Sequence, residues 1–158
     1  MHDFGSNNER GKVAERQVLL QLEHDGYQVE DVSDVEDYQN IGIDFIATRG
    51  NQRFTLDVKS DNKIESNICL ELETDGKIGW WLYSKANFIF IVPRLDDYAL
   101  KGNYFILSRE SAKEYLGKNH NNRLLYRTSD MGRQGRGLLV NIEKLKQAQL
   151  LREQRWTI

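Results

Sequence analysis

The sequence predicts a single α/β domain, on three observations: a capped amphipathic helix near the N-terminus, a hairpin turning at Gly50-Asn51, and a later alternation of short strands with short helical segments. At 158 residues the chain has the size of one domain and is long enough to bury a real core. No apolar run approaches the ~20 residues that span a bilayer. The N-terminus Met1-His2-Asp3-Phe4-Gly5 also lacks the basic and apolar regions of a secretory signal. A cytoplasmic protein with no membrane partner is the expectation. Cys69 is the only cysteine, so an intramolecular disulfide and a thiolate metal cluster are both excluded. His2, His24 and His120 show no ligand spacing, and any metal site is expected to rest on oxygen donors.

Asn7 and Asn8 are placed to cap a helix from about Glu9 to His24, and Gly26 is its natural stop. Val18, Leu19 and Leu22 form its apolar stripe, with Glu15 at the head. Two readings are open for Glu15: an edge residue that reaches water, or a carboxylate aimed into a site. Tyr27 to Val32 reads as a short strand and Asp31 to Asp37 as an acidic loop. Asn67 to Glu73 alternates strictly, with Ile68, Leu70 and Leu72 on one face, as a half-buried strand does. Gly79 to Ala86 reads as a short helical connection to the buried strand Phe88 to Val92, which Pro93 ends. Tyr104 to Leu107 is a further strand, followed by a helix from Ser108 to Leu116 that Ser108 is placed to cap. Arg123 to Arg127 and Leu138 to Ile142 read as short strands. Between them Gly132-Arg133-Gln134-Gly135-Arg136-Gly137 reads as a basic glycine-rich loop, and a final helix is expected over Glu143 to Arg155.

The hairpin carries the chemistry. With a two-residue Gly50-Asn51 loop, paired residues sum to 101, and so do 44 and 57. Asp44 and Asp57 are then expected to face each other with side chains roughly 5 Å apart, and alternation puts Lys59 on the face of Asp57. The same register pairs Ile43 with Val58, Phe45 with Leu56 and Ala47 with Phe54 on the apolar face. It also leaves Gly42 opposite Lys59, with room beside the lysine. Like charges opposite each other on a sheet repel, so the pair is costly unless a cation lies between them. Mg²⁺ suits such a half-site, because it takes one or two carboxylates and leaves positions for water and a phosphate oxygen. Asp44, Asp57 and the Val58 carbonyl are the expected donors. Lys59 is placed to orient water or offset charge, and Glu15 to bind a second metal or hold a water.

These residues resemble the PD-(D/E)XK nuclease superfamily, which includes restriction endonucleases, Holliday junction resolvases and phage-encoded nucleases. The resemblance rests on Glu15 in the first helix, Gly42-Ile43-Asp44, and Asp57-Val58-Lys59 on the following strand. It covers the first 60 residues or so by motif and the next 30 by strand order. Ile43 replaces the proline of the family's name, and Asp57 stands where glutamate is more usual. The resemblance implies a restriction endonuclease-like domain, with a central mixed β-sheet flanked by helices. It also implies a Mg²⁺-dependent DNA endonuclease or resolvase-like phosphodiesterase, with Mn²⁺ able to substitute. Asp44 and Asp57 would hold the metal, and Lys59 would assist the nucleophile.

Charge is unevenly spread. Residues 1–100 hold 10 Lys and Arg against 19 Asp and Glu, and residues 101–158 hold 12 against 5. The split fits an acidic site in one part and a phosphate-contacting surface in another, or two solvated faces of opposite sign. Arg133 and Arg136 are candidate phosphate contacts, against the plainer reading of a mobile loop. Lys85 is a third candidate, against that of a surface lysine. Trp80 and Trp81 read first as core or interface packing and second as a base-stacking platform. Glu71 and Glu73 are either solvent-exposed or an extension of the acidic site. The expected partner is DNA, and a homodimer would supply the two sites needed to cut both strands. The alternatives are a catalytically silent nucleic-acid-binding or assembly module on the same scaffold, and an interaction protein in which the two aspartates are unrelated.

Overall fold

The computed structural model describes residues 4–61, 64–94, 100–130 and 135–158. Helix α1 (Phe4–His24) begins earlier than its expected cap and buries Ala14, Val18 and Leu22. It ends where expected: Gly26 takes φ +88°, its amide bonds to the Glu23 carbonyl, and the Tyr27 amide reaches the Leu22 carbonyl. The chain continues through β1 (Gln28–Asp31), the single turn α2 (Glu36–Gln39), and the hairpin of β2 (Phe45–Arg49) and β3 (Gln52–Asp61). A crossover made of β4 (Asn67–Thr74), β5 (Lys77–Ile78) and α3 (Trp80–Tyr83) leads to β6 (Phe88–Pro93). Then follow β7 (Asn103–Ser108), α4 (Arg109–Lys118), β8 (Tyr126–Asp130), β9 (Gly135–Asn141), α5 (Ile142–Gln147) and β10 (Leu151–Arg155).

The expected α/β class and mixed sheet are both present. Six strands form one sheet in the order β1-β2-β3-β6-β7-β10, in which only β3 and β6 run parallel. Asn87 sets that parallel register: its Oδ1 accepts from the Thr55 amide at 2.8 Å, and its own amide donates to the Thr55 carbonyl at 3.0 Å. On one face Phe45, Ala47, Leu56, Val58 and Phe90 pack with α1 residues. On the other, Ile46, Ile89, Ile91, Phe105 and Leu107 pack with Ile68, Leu70 and Val140 of a second, antiparallel sheet ordered β5-β4-β9-β8, and with Trp80, Trp81, Ala112, Leu116, Ile142 and Leu145 from α3, α4 and α5. The second sheet is an addition to the helix-flanked architecture the sequence suggests.

The hairpin register holds as read, pairing Phe45 with Leu56 and Ala47 with Phe54. Its end does not. Regular pairing stops at Phe45, the Asp44 amide turns onto the Leu56 carbonyl at 2.9 Å, and Ile43 joins the core cluster on the face away from Val58. The expected Ile43/Val58 pair is therefore absent. Gly42 explains the break. Its φ is +63°, and a Cβ there would lie 3.0 Å from the Ser84 side chain, so the space at Gly42 is taken by Ser84. The Ser84 hydroxyl donates to the Gly42 carbonyl at 3.2 Å, and the Lys85 amide donates to the Ile41 carbonyl at 2.7 Å.

Three further boundaries differ. The expected Arg123 to Arg127 strand begins at Tyr126, because Asn122 Oδ1 accepts from the Leu124 and Leu125 amides and holds a turn there. The long final helix is instead the short α5, capped by Asn141, followed by a reversal at Gln149 (φ +61°) and the edge strand β10. Arg152, Glu153, Gln154 and Arg155 have good helix propensity, but pairing with β7 overrides it. Ser108 precedes α4 without making a side-chain capping bond.

Gly42→Ala should cost more stability than Gly50→Ala. Both glycines have positive φ, but a Cβ at Gly50 meets nothing within 4 Å. The expected losses are about 1–2 kcal/mol at Gly50 for the left-handed conformation alone, and roughly 1 kcal/mol more at Gly42 for the clash. Urea unfolding of both variants reads the difference, and equal losses would discount the Gly42–Ser84 contact.

Candidate metal centre

Asp57 and Lys59 alternate with Leu56 and Val58 on β3, so both point to the face shared with the second sheet. Parallel pairing sets Asp57 beside Ile89 and Lys59 beside Ile91, both buried. Asp57 is 1% exposed, and its Oδ1 lies 2.8 Å from Lys59 Nζ. With Asp57 ionised, its Oδ2 is buried with no hydrogen-bond partner. A buried carboxylate oxygen without a partner costs on the order of 1–3 kcal/mol.

Asp44 supplies the second carboxylate. Where the ladder ends, its Oδ2 accepts from the Val58 amide at 2.7 Å, which ties Asp44 to the strand segment carrying Asp57 and Lys59. The two acids thus meet through a side-chain-to-backbone bond beyond the last regular pair, rather than as opposed residues of a continuous ladder. Burial pushes the Asp57 carboxyl from 3.8 up to about 7; Lys59 opposes this, and Asp44 adds to it by charge repulsion and by accepting a hydrogen bond from the protonated form. At Lys59 burial works to lower the ammonium pKa, but Asp57, with Tyr83 and Asp44 adding to it, raises the pKa on balance.

Glu15 reaches the same centre from α1. Its side chain is 19% exposed, and its pKa is raised by burial first and by Asp44 second, against the pull of Lys12. Lys12 Nζ lies 3.2 Å from Glu15 and 3.4 Å from Asp34, so it holds the carboxylate from the solvent side. Glu15 is thus near enough to Asp44 to feel its charge, while its side-chain partner is Lys12.

The rest of the wall comes from the crossover. Trp80 and Trp81 are buried in an edge-to-face pair, with ring centroids 6.2 Å apart. Lys59 Nζ lies 5.7 Å from the Trp80 ring centroid. A cleft of ≈ 390 Å³ beside the lysine is lined by Asp61, Cys69, Glu71, Trp80 and Tyr83 among others. Glu71 therefore faces the site, as one of its two readings held. Trp80 and Tyr83 were not singled out together as site residues, although their spacing of three on one helical turn is a signal for a shared face.

The other candidates are dispersed. Lys85 is exposed on the loop after α3. Arg136 is not in a loop: it sits on β9 opposite Glu73 of β4, and its Nη2 lies 3.4 Å from Glu73 Oε2, an exposed pair worth little. Arg133 lies outside the described residues. Among the described residues no helix is long and apolar enough to cross a membrane.

As a donor set the centre is sparse. Among the described residues no group of three or more acidic, histidine or cysteine side chains is arranged to hold a metal ion. Two carboxylates, one with an orphaned oxygen, and the neighbouring Val58 carbonyl still fit an ion that takes few protein ligands and keeps water and phosphate, as Mg²⁺ does. No protein-family model, curated protein or solved structure matches the chain.

A raised acid pKa in the fold means that the native state binds the proton more tightly than the unfolded chain. Its stabilising contribution is full below pH 3.8 and is lost as pH rises towards about 7. Asp57→Asn removes this dependence. Without divalent ions, stability of the variant relative to the parent should increase by on the order of 3 kcal/mol between pH 4 and pH 7.5. Paired urea titrations measure this, and a constant difference across that range would contradict the assigned environment of Asp57.

Proposed function

We propose that the protein is a Mg²⁺-dependent nuclease that hydrolyses phosphodiester bonds in DNA. The observation that carries the reading is the buried Asp57 carboxylate, held beside Asp44 with one oxygen unpartnered. This arrangement destabilises the isolated fold and becomes favourable when a cation joins it. The resemblance to PD-(D/E)XK nucleases in Glu15, Asp44, Asp57 and Lys59 agrees with it.

In this reading Asp44, Asp57 and the Val58 carbonyl hold the ion. When bound, Mg²⁺ supplies Lewis acidity to a phosphodiester oxygen and lowers the pKa of water. Lys59, fixed by Asp57 at 2.8 Å, presents its remaining N–H donors towards the cleft and offsets charge on the phosphoryl oxygens in the transition state. Glu15 orients water from the α1 side, where Lys12 sets its position. The water oxygen bonds to phosphorus as the ester P–O bond breaks. The proton lost by water passes to solvent or to a carboxylate, and the leaving oxygen takes up a proton. Cutting both strands of a duplex calls for two copies of this centre, which a symmetric dimer would provide.

A second reading is a catalytically silent nucleic-acid-binding or assembly module, and one observation favours it: Lys59 already neutralises Asp57 directly, as a purely structural ion pair would. Cleavage assays with linear, circular, branched and single-stranded DNA over a Mg²⁺ and Mn²⁺ titration separate the two. The nuclease reading expects wild-type cleavage that chelation abolishes. Asp57→Ala and Lys59→Ala should each reduce the rate about 100-fold or more, and Glu15→Gln by roughly 10-fold. Mg²⁺ should also raise the melting temperature of the parent but not of Asp57→Ala. Binding without cleavage of any substrate, and no Mg²⁺ stabilisation, would establish the silent module.

A further inference from the structure

The loop after α3 carries a second arrangement of like charges, this time positive. Lys85 is exposed on that loop, and Arg109 opens α4 with its Nε donating to the carbonyl of Ala86, next to Lys85. Lys113 follows one turn along α4, where residues four apart share a face. Its Nζ lies 5.2 Å from the centroid of the Trp81 ring. No carboxylate pairs with any of the three among the described residues, and Glu114 on the same helix is taken by Lys118 at 2.7 Å. Burial lowers the Lys113 pKa, and Arg109 and Lys85 lower it further by repulsion. Three cations are therefore gathered where an anion would relieve their mutual cost.

The cluster and the acidic centre share one wall. Trp80 faces Lys59 while Trp81 faces Lys113. Ser84 packs on Gly42, two residues before Asp44, and the Lys85 amide is bonded to the Ile41 carbonyl. A polyanion lying along this wall would meet Lys85, Arg109 and Lys113 as one group. An isolated phosphate would need only one of them.

We propose that Lys85, Arg109 and Lys113 form a phosphate track that holds the DNA backbone flanking the scissile bond, an assignment that rests on the nuclease reading for the identity of the polymer. Arg136, by contrast, sits on the second sheet opposite Glu73. The track acts on binding and register rather than on the bond-breaking step.

The test is the salt dependence of duplex oligonucleotide binding, measured without divalent ions so that no cleavage intervenes. Lys85→Ala is an exposed change, and Lys113→Gln keeps the stem over Trp81 while removing the charge. Each released contact should reduce the slope of log K against log salt by about 0.9, so the double variant loses nearly two such steps, and its affinity at low salt falls about 10-fold or more. Lys118→Ala on the same helix should leave the slope unchanged. A double variant with wild-type slope and affinity overturns the track, and wild-type cleavage in Mg²⁺ would then leave the nuclease reading standing. A reduced slope in a protein that cleaves nothing would support the track and remove the nuclease. A wild-type chain that binds no duplex overturns the track outright.

Discussion

The contact between Asp57 and Lys59 is the constraint around which the rest of the site is arranged. A carboxylate 1% exposed and an ammonium 2.8 Å away are placed on a strand segment paired with β6 on one side and tied to the Asp44 side chain on the other. Burying both charges is expensive, and an ion pair repays the expense only when every remaining lone pair and proton finds a partner. Here one carboxylate oxygen does not. The neighbouring elements can be read as responses to that defect. β2 gives up its ladder at Asp44 so that a second carboxylate can bond the Val58 amide, and α3 brings an indole ring beside the ammonium. Lys12 anchors Glu15 at the margin. The result is a cluster of charges held close together where the hairpin ladder ends.

How much of this could be read from the amino acids depended on whether the cause was local. The hairpin was legible because Gly50-Asn51 fixes the loop length and loop length fixes register; every observed pair from Phe45 to Arg49 follows from it. The proximity of Asp44, Asp57 and Lys59 came with that register. The manner of their approach did not, because the break at Asp44 is imposed by Ser84, a residue far along the chain that packs against Gly42. Glu15 was visible as a misplaced charge on an apolar stripe, but only its packing against the sheet decided where it points. The same division explains the C-terminal end. Arg152 to Arg155 have helical character in isolation, and the edge of the sheet beside β7 takes them as a strand.

The basic residues show the limit from the other side. Arg136 stood out because glycines surround it, but Gly135 serves the close pairing of β9 with β4, where a Cβ would collide with the Glu73 carbonyl. Lys85, Arg109 and Lys113 have no common sequence signal; the first is on a loop and the others are on a helix that begins two strands later. Only the bond from Arg109 to Ala86 brings them together.

The crossover that joins β3 to β6 has a consequence for how the centre acquires its character. The hairpin holding Asp44 and Asp57 closes over a short loop, which is cheap in chain entropy. Ile89, Ile91 and Trp80, which dry it, arrive only after the intervening β4, β5 and α3 have been laid down. With the hairpin formed but the crossover open, Asp57 lacks the cover of Ile89, Ile91 and Trp80. Closing the parallel pair buries Asp57 beside Ile89 and pushes its carboxyl pKa up to about 7. In the proposed reading, affinity for the ion would be a property of the completed topology, and bound ion would in turn favour the closed pairing over the open one.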